Sequence, residues 1–504
     1  MLENPAASTQ SPVKQSAFGL AIIVLSGLQF MVVLDGTVVI FALPRLQEEL
    51  GLSGSGGAWT VTAYGLTFAG MMLLGGRLGD VFGRKRMLII GVGLFTAASL
   101  ACGLAQGELA LLIARAFQGA GAAIAAPTAF ALVATTFAPG KARNQAVAVV
   151  GSMAGIGSVS GLVIGGLLTE MSWRLIFLIN VPIGALIVLG AMYTLSDTAH
   201  HRAPLDVKGA VLGTLACALV VFGATEGPSW GWGSPVILTS LIVGVVLLVT
   251  FVLIERNETD PLLPWSLFDS RDRNSTFLLI FLAGAVLGAM TFFVAQMLQN
   301  SLGYSPLHAG IACIPFTIGI GLGGALASKA ALVVPPRWLL IGAALVLSAA
   351  LLFGSTLDRH IAYPTTLLPL LIVIGFGVGV AMVLAPLCVL VDVPPADIGP
   401  LSAVGQMFMN LATPIAIGLL TPIAASRTLS LGGSPETKVS AMNGPQLDAL
   451  TSGYTTVLLV CSGLALLAAV VASTLRFTPA QLAQAQHAQE EAQKVGTPNT
   501  VVRQ

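Results

Sequence analysis

Two ionisable side chains stand where this chain is otherwise apolar: Asp35 in Leu34-Asp35-Gly36-Thr37-Val38-Val39 and Arg115 in Leu112-Ile113-Ala114-Arg115-Ala116-Phe117. Asp35 is the only carboxylate well inside any of the hydrophobic runs. Holding such a group in hydrocarbon is costly, and proteins that do so generally use it to move something. Depth links the two charges. Asp35 lies eight residues before the end of its segment and Arg115 about six after the start of its own, so both sit ~9–12 Å deep at ~1.5 Å per helical residue. A direct or water-bridged Asp35–Arg115 contact is expected, which Gln118, one turn further on, can join. A conformational change that altered Asp35's burial or its contact with Arg115 would load or release a proton. The alternative is a static pair that only orients two helices.

Other chemistries find little support. The GxxxxGK[ST] phosphate cradle is missing, since Gly140-Lys141 is followed by Ala142 and Thr135 stands where the first glycine would be, so ATP is not expected to drive the protein. There is no HExxH, no GxSxG and no convergent His/Cys set; His200, His201, His308, His360 and His487 fall in loops, at helix ends or in the tail. Cys102, Cys217, Cys313, Cys388 and Cys461 lie singly in different apolar runs and read as small hydrophobes, so no metal site and no disulfide is expected. Enzyme chemistry is therefore not expected, and a formal net charge of +1 gives no global field for nucleic acid.

The elements that must position Asp35 and Arg115 are membrane helices. The chain is 55 % hydrophobic and 9 % charged over 504 residues, which fits a polytopic membrane protein. Fourteen apolar runs are long enough for a ~30 Å hydrocarbon slab, near 18–43, 58–79, 87–105, 109–136, 143–168, 174–195, 207–225, 235–255, 276–300, 307–331, 337–356, 364–388, 398–424 and 453–475. Glycine and β-branched residues are frequent in them, but in lipid the backbone has no partner except itself, so helix prevails. A barrel is excluded by run length. Seventeen of the twenty-three Lys and Arg fall on the side shared by both termini, five on the other, and Arg115 within the membrane, so both termini are expected to be cytoplasmic. The first run is too long for a signal-peptide core, and helix 1 is expected to stay in the mature chain. An outer loop over 425–452 is rich in Gly, Ser and Thr, and a Gln/Ala/Glu-rich tail follows Pro479.

An internal echo suggests two homologous halves: Gly75-Gly76-Arg77-Leu78-Gly79-Asp80 after helix 2 matches Gly323-Gly324-Ala325-Leu326-Ala327-Ser328 after helix 10. Parallel repeats of this kind build two six-helix bundles around a midplane cavity. The expected division is a segment 1–17, bundles over 18–195 and 276–475, inserted helices 7 and 8 with their linkers over 196–275, and a tail 476–504.

Five stretches carry a family resemblance. Gly75-Gly76-Arg77-Leu78-Gly79-Asp80-Val81-Phe82-Gly83-Arg84-Lys85-Arg86 resembles the signature loop of the major facilitator superfamily. Leu112–Gly121 is similar to the helix-4 motif of its drug:proton antiporters, and Gly157–Gly166 to their antiporter motif, with Leu162 where a proline is usual. Leu34–Pro44 and Trp173–Gly184 resemble hallmarks of the fourteen-helix branch, that of the quaternary-ammonium and fluoroquinolone exporters. The resemblance covers essentially the whole chain. It implies the major facilitator fold and proton-coupled multidrug efflux by alternating access, in a bacterial inner membrane, driven by the proton gradient with no cofactor. The expected partners are lipophilic small-molecule drugs, protons and membrane lipids, not nucleic acid, with the protein a monomer. A lipid or metabolite translocator on the same scaffold is the alternative, and a non-transporting membrane sensor a further one.

The resemblance also assigns roles. Asp35, Arg115 and Gln118 would couple the proton, and Gly76, Asp80, Gly83, Arg84 and Lys85 would form the cytoplasmic gate, with Asp80 facing the basic residues or a helix N-terminus. Gly157, Gly161 and Gly165 form a stripe at four-residue spacing on helix 5, either a rocking interface or tight static packing. For the substrate cavity the candidates are Met31, Phe292, Phe293, Gln296 and Asn300, with Gln406 and Asn410 on helix 13; Met and aromatic surface suits varied lipophilic ligands, and amides are costly to bury without use. Helices 10 and 13 hold no acids, which favours lipophilic monocations, zwitterions and neutral compounds over dications.

Overall fold

The computed structural model describes residues 15–52, 54–137, 141–196, 207–257, 268–391, 393, 398–434, 439–482 and 484. Fourteen helices in it are long and apolar enough to cross a membrane: α1 (Gly19–Leu50), α2 (Ser55–Phe82), α3 (Arg84–Leu104), α4 (Glu108–Val133), α5 (Gln145–Met171), α6 (Leu175–Thr194), α7 (Val207–Gly227), α8 (Pro235–Arg256), α9 (Arg271–Ser301), α10 (Pro306–Ala330), α11 (Pro336–Gly354), α12 (Tyr363–Val389), α13 (Leu401–Ser430) and α14 (Gly444–Ser473). Odd helices run from a basic face, which carries Arg84, Lys85 and Arg86, to a far face; even helices return. The expected tail falls mostly outside the described residues.

Several helices outrun their hydrophobic cores. α1 continues through Pro44 to Leu50, and the Gly75–Asp80 and Gly323–Ser328 repeats lie in the last turns of α2 and α10 rather than in loops. The expected 425–452 loop is also shorter. α13 extends to Ser430, and α14 starts at Gly444 under an Asn443/Gln446 capping box in which each side chain accepts from the other's backbone N–H, so neither helix needs apolar residues at its ends. α10 breaks at Cys313, where Pro315 withholds a backbone donor. α9 ends in a π-helical turn over Met297–Ser301.

α1–α6 pack on one another, as do α9–α14, while α7 and α8 pair and α7 lies against both α2 and α13. Glycines set the closest crossings. A β-carbon on Gly75 would run into the Ala123 carbonyl of α4, and one on Gly323 into the Phe376 carbonyl of α12, so the repeated motif makes the same α2–α4 and α10–α12 approach in each half.

The core is asymmetric across the membrane. On the far face one apolar cluster unites both halves, running from Leu34–Leu46 of α1 through Trp173 and Phe177 to Ala285–Leu298 of α9 and Ala412–Ala424 of α13. Towards the basic face lie one cluster confined to α1–α6, one mainly in α9–α14, and a small one that joins α2 to the start of α7. The halves are thus joined beyond the membrane centre and separate towards the basic face.

Candidate functional site

Asp35 is fully buried at the centre of the α1–α6 half. Its Oδ2 accepts from Arg115 Nη1 at 2.7 Å, and its Oδ1 from Gln118 Nε2 at 2.7 Å and Asn180 Nδ2 at 2.8 Å. Three donors on two oxygens hold the charge without bulk water. Arg115, 1 % exposed, also donates to Gln118 Oε1 at 2.7 Å and, through Nε, to the Thr60 carbonyl at 2.9 Å. Its guanidinium carbon lies 4.3 Å from the Tyr64 ring centroid and 5.8 Å from that of Phe177, aromatic faces that favour a cation out of water. Gln118 Nε2 reaches Ser99 Oγ at 2.7 Å as well, so the network joins α1, α2, α3, α4 and α6.

Local sequence builds this. Arg115 and Gln118 are three residues apart on one face of α4, and Gly119 beside them packs on the Tyr64 carbonyl, drawing α4 against α2. Gly157, Gly161 and Gly165 bring α5 against α1 at Phe30, Val33, Leu34, Thr37 and Val38, so the stripe backs the helix that carries Asp35. Its contacts are within one half. The contact between halves uses the adjacent face of α5: Leu162 packs on Gly310, and Gly166 on Pro306 and Leu307 of α10. The position that departs from the family pattern therefore faces the opposite half. Ser305 Oγ donates to Glu170 Oε1 at 2.6 Å and closes the same seam at the far face.

At the basic face Gly83 takes φ +94°, a left-handed turn that suits glycine, and lets α3 start immediately after α2. Asp80 Oδ1 accepts from Arg84 Nε at 2.9 Å and Nη2 at 2.8 Å; Arg84 Nη1 donates to the Ala131 carbonyl of α4, and Lys85 Nζ to the Met192 carbonyl of α6. Gly76 leaves room beside Pro127. These four bonds tie α2, α3, α4 and α6 of one half together.

The seven cavity candidates do not meet in one chamber. Met31 is fully buried inside the α1–α6 core beside Leu28 and Tyr64, because its face of α1 packs on helices rather than on the opening. Phe292 and Phe293, with ring centroids 4.9 Å apart, belong to the far-face core, and Asn300 donates to Tyr454 Oη at 2.9 Å. Gln296 is 5 % exposed, and its Oε1 has no partner among the described residues. Gln406 is exposed near the basic end of α13, and Asn410 Nδ2 lies 3.6 Å from Met72 Sδ on α2. Asn410 thus touches the opposite half, and of the seven only Gln406 is open at the basic end, where the two apolar cores are separate.

Two features escaped sequence reasoning. Asn180, a direct partner of Asp35, is an amide near the start of an apolar run, the same signal that singles out Gln296 and Asn410. Glu226 and Glu255, 8 % and 0 % exposed, are further buried carboxylates, hidden by their positions at the ends of α7 and α8. Among the described residues no group of three or more His, Cys, Asp or Glu could hold a metal ion.

Comparison with known proteins agrees with this architecture. The family model described as Major Facilitator Superfamily matches residues 25–417. The chain is 44 % identical over 489 residues to the uncharacterized MFS-type transporter EfpA of Mycobacterium tuberculosis, covering 97 % of this chain and 92 % of that protein. It is 37 % identical over 476 residues to the puromycin resistance protein pur8 of Streptomyces alboniger, covering 93 % of each. A bacterial homologue of the human lysosomal transporter Spinster shares the fold, with a TM-score of 0.63 over 96 % of this chain and 100 % of that one at 14 % identity.

Proposed function

The chain belongs to the major facilitator superfamily, a non-enzymatic transporter embedded in the membrane, and from that premise we propose that it is a proton-coupled exporter of lipophilic drugs. The observation that carries this reading is the buried Asp35–Arg115–Gln118–Asn180 network. A carboxylate at the centre of a network that spans five helices alters the packing of a whole half when it gains or loses a proton. The basic face is the cytoplasmic one by its excess of Lys and Arg, which puts both termini inside. The halves, joined at the far face and separate at the basic one, then stand in the state that admits a substrate from within.

In this cycle protonation of Asp35 relaxes its hold on Arg115, Gln118 and Asn180. The α5–α10 seam at Leu162, Gly166 and Glu170 opens, the Gln406–Asn410 side closes, and Asp80 and Arg84 exchange partners as the basic face is clamped. Substrates are lipophilic monocations, zwitterions and neutral compounds, in keeping with amides rather than acids along α13. The puromycin resistance named for one relative supports the drug class. One proton crossing ~150 mV releases about 3.5 kcal/mol, enough for between two and three powers of ten in concentration. The protein acts as a monomer with no cofactor.

The test is ethidium efflux from cells expressing wild type or Asp35→Asn at equal level, with and without an uncoupler. Export that both the substitution and the uncoupler abolish supports proton antiport through Asp35. Export that is unchanged in Asp35→Asn rejects its role as carrier, and ethidium that never moves rejects the drug reading in favour of a lipid substrate.

A further inference from the structure

At the far-face end of α7, Glu226 is buried at 8 % exposure among aromatic rings. The helix continues past the apolar span to Trp230, and Phe222, Glu226 and Trp230 follow one another at four-residue spacing on one face of it. The Phe222 ring lies 6.0 Å from that of Trp230 and 6.1 Å from that of Trp59 on α2, and Trp59 Nε1 donates to Glu226 Oε1 at 3.1 Å. The Trp232 ring rests on Gly227. Next along the chain, Thr225 Oγ1 donates to the Gly418 carbonyl of α13 at 2.8 Å, so the site straddles the two halves.

A carboxylate beside hydrocarbon needs several charge-assisted contacts to offset its desolvation. Among the described residues Glu226 has one neutral donor and no paired cation. The arrangement is suited to an organic cation: an anion at the base and aromatic faces around it, with Trp230 and Trp232 both more than half exposed at the mouth. A bare metal ion would want several oxygen ligands, which the site does not offer. We propose that Glu226, with Trp59, Phe222 and Trp230, forms a second binding site for alkylammonium or other lipophilic organic cations, at the far-face junction of α2, α7 and α13. The competing account is a structural bond that anchors α7 to α2. The two separate cleanly, because Glu226→Gln keeps an oxygen to accept from Trp59 and removes only the charge.

The experiment is equilibrium binding of radiolabelled tetraphenylphosphonium to the purified full-length protein in phosphatidylglycerol nanodiscs, comparing wild type with Glu226→Gln. The expected result is loss of one equivalent of bound cation, or at least a tenfold weakening of one site, with the melting temperature unchanged. Binding identical to wild type overturns the proposal. If Glu226→Gln cannot be purified, Trp230→Ala removes an exposed wall; severalfold weaker binding supports the site, and unchanged binding overturns it. Repeating the titration with phosphatidylethanolamine in the disc separates two sources of the same chemistry. Competition marks a lipid headgroup as occupant, and its absence a free cation. Binding is read without a proton gradient, so loss of Asp35-dependent efflux leaves this result untouched.

Discussion

Replacing either member of the Asp35–Arg115 pair should destabilise the protein, but unequally. In Asp35→Asn the guanidinium stays 1 % exposed, and it cannot discharge by losing its proton. It keeps the Thr60 and Gln118 oxygens and the Tyr64 face, all neutral, and loses its only anion. Breaking a buried pair in this way costs about 3–5 kcal/mol. In Arg115→Gln the carboxylate keeps two amide donors, Gln118 and Asn180, and can become neutral by binding a proton. The loss is then about 1–3 kcal/mol, the scale of a buried group missing one partner. The double variant Asp35→Asn/Arg115→Gln leaves no isolated charge and should be more stable than Asp35→Asn alone. Thermal unfolding of the four purified proteins in one detergent gives the order: wild type, Arg115→Gln, the double variant close to it, and Asp35→Asn last. Equal losses in the two single variants, or a double variant below Asp35→Asn, would mean that water already screens the pair.

Two glycines of α5 should respond differently to the same change. Gly161→Val drives a side chain into Thr37 within one half, so the cost of about 1–3 kcal/mol appears as a lower melting temperature, and unchanged stability would contradict the α1–α5 packing. Gly166→Val collides with Pro306 and Leu307 across the seam, where rocking relieves the overlap. About 1–3 kcal/mol then shifts the equilibrium some five- to 150-fold towards the far-face-open state, read as faster thiol labelling of a Ser305→Cys reporter; a lower melting temperature with unaltered labelling would refute that assignment.

The helices were legible because hydrocarbon leaves so little choice: a run of twenty apolar residues in lipid has one conformation that satisfies its backbone. Their ends were not, since capping at Asn443 and the long extension of α13 depend on polar residues that also suit a loop. The Asp35–Arg115–Gln118 contact could be anticipated from helix direction and depth alone. Asn180 could not be ranked above other amides without knowing that the start of α6 faces α1. The cavity list fared worst. Periodicity puts Met31 and Gln406 equally on a helix face, and only the arrangement of neighbouring helices decides that one is sealed in a core and the other open to the basic side. The two faces of α5 show the same limit: a glycine stripe announces close approach but not with which helix.

The single far-face core and the paired basic-face cores also set a tolerance on the transport cycle. Moving to the opposite state unzips one apolar seam while zipping another. If one proton supplies about 3.5 kcal/mol and apolar burial is worth about 25 cal/mol per Å², the two seams must match to within roughly 140 Å² for that proton to decide between them. This is less than one large aromatic side chain. Phe292 and Phe293 belong to the far-face core, so trimming or enlarging either one should be enough to bias the machine towards one state, although neither touches Asp35 and neither need touch a drug.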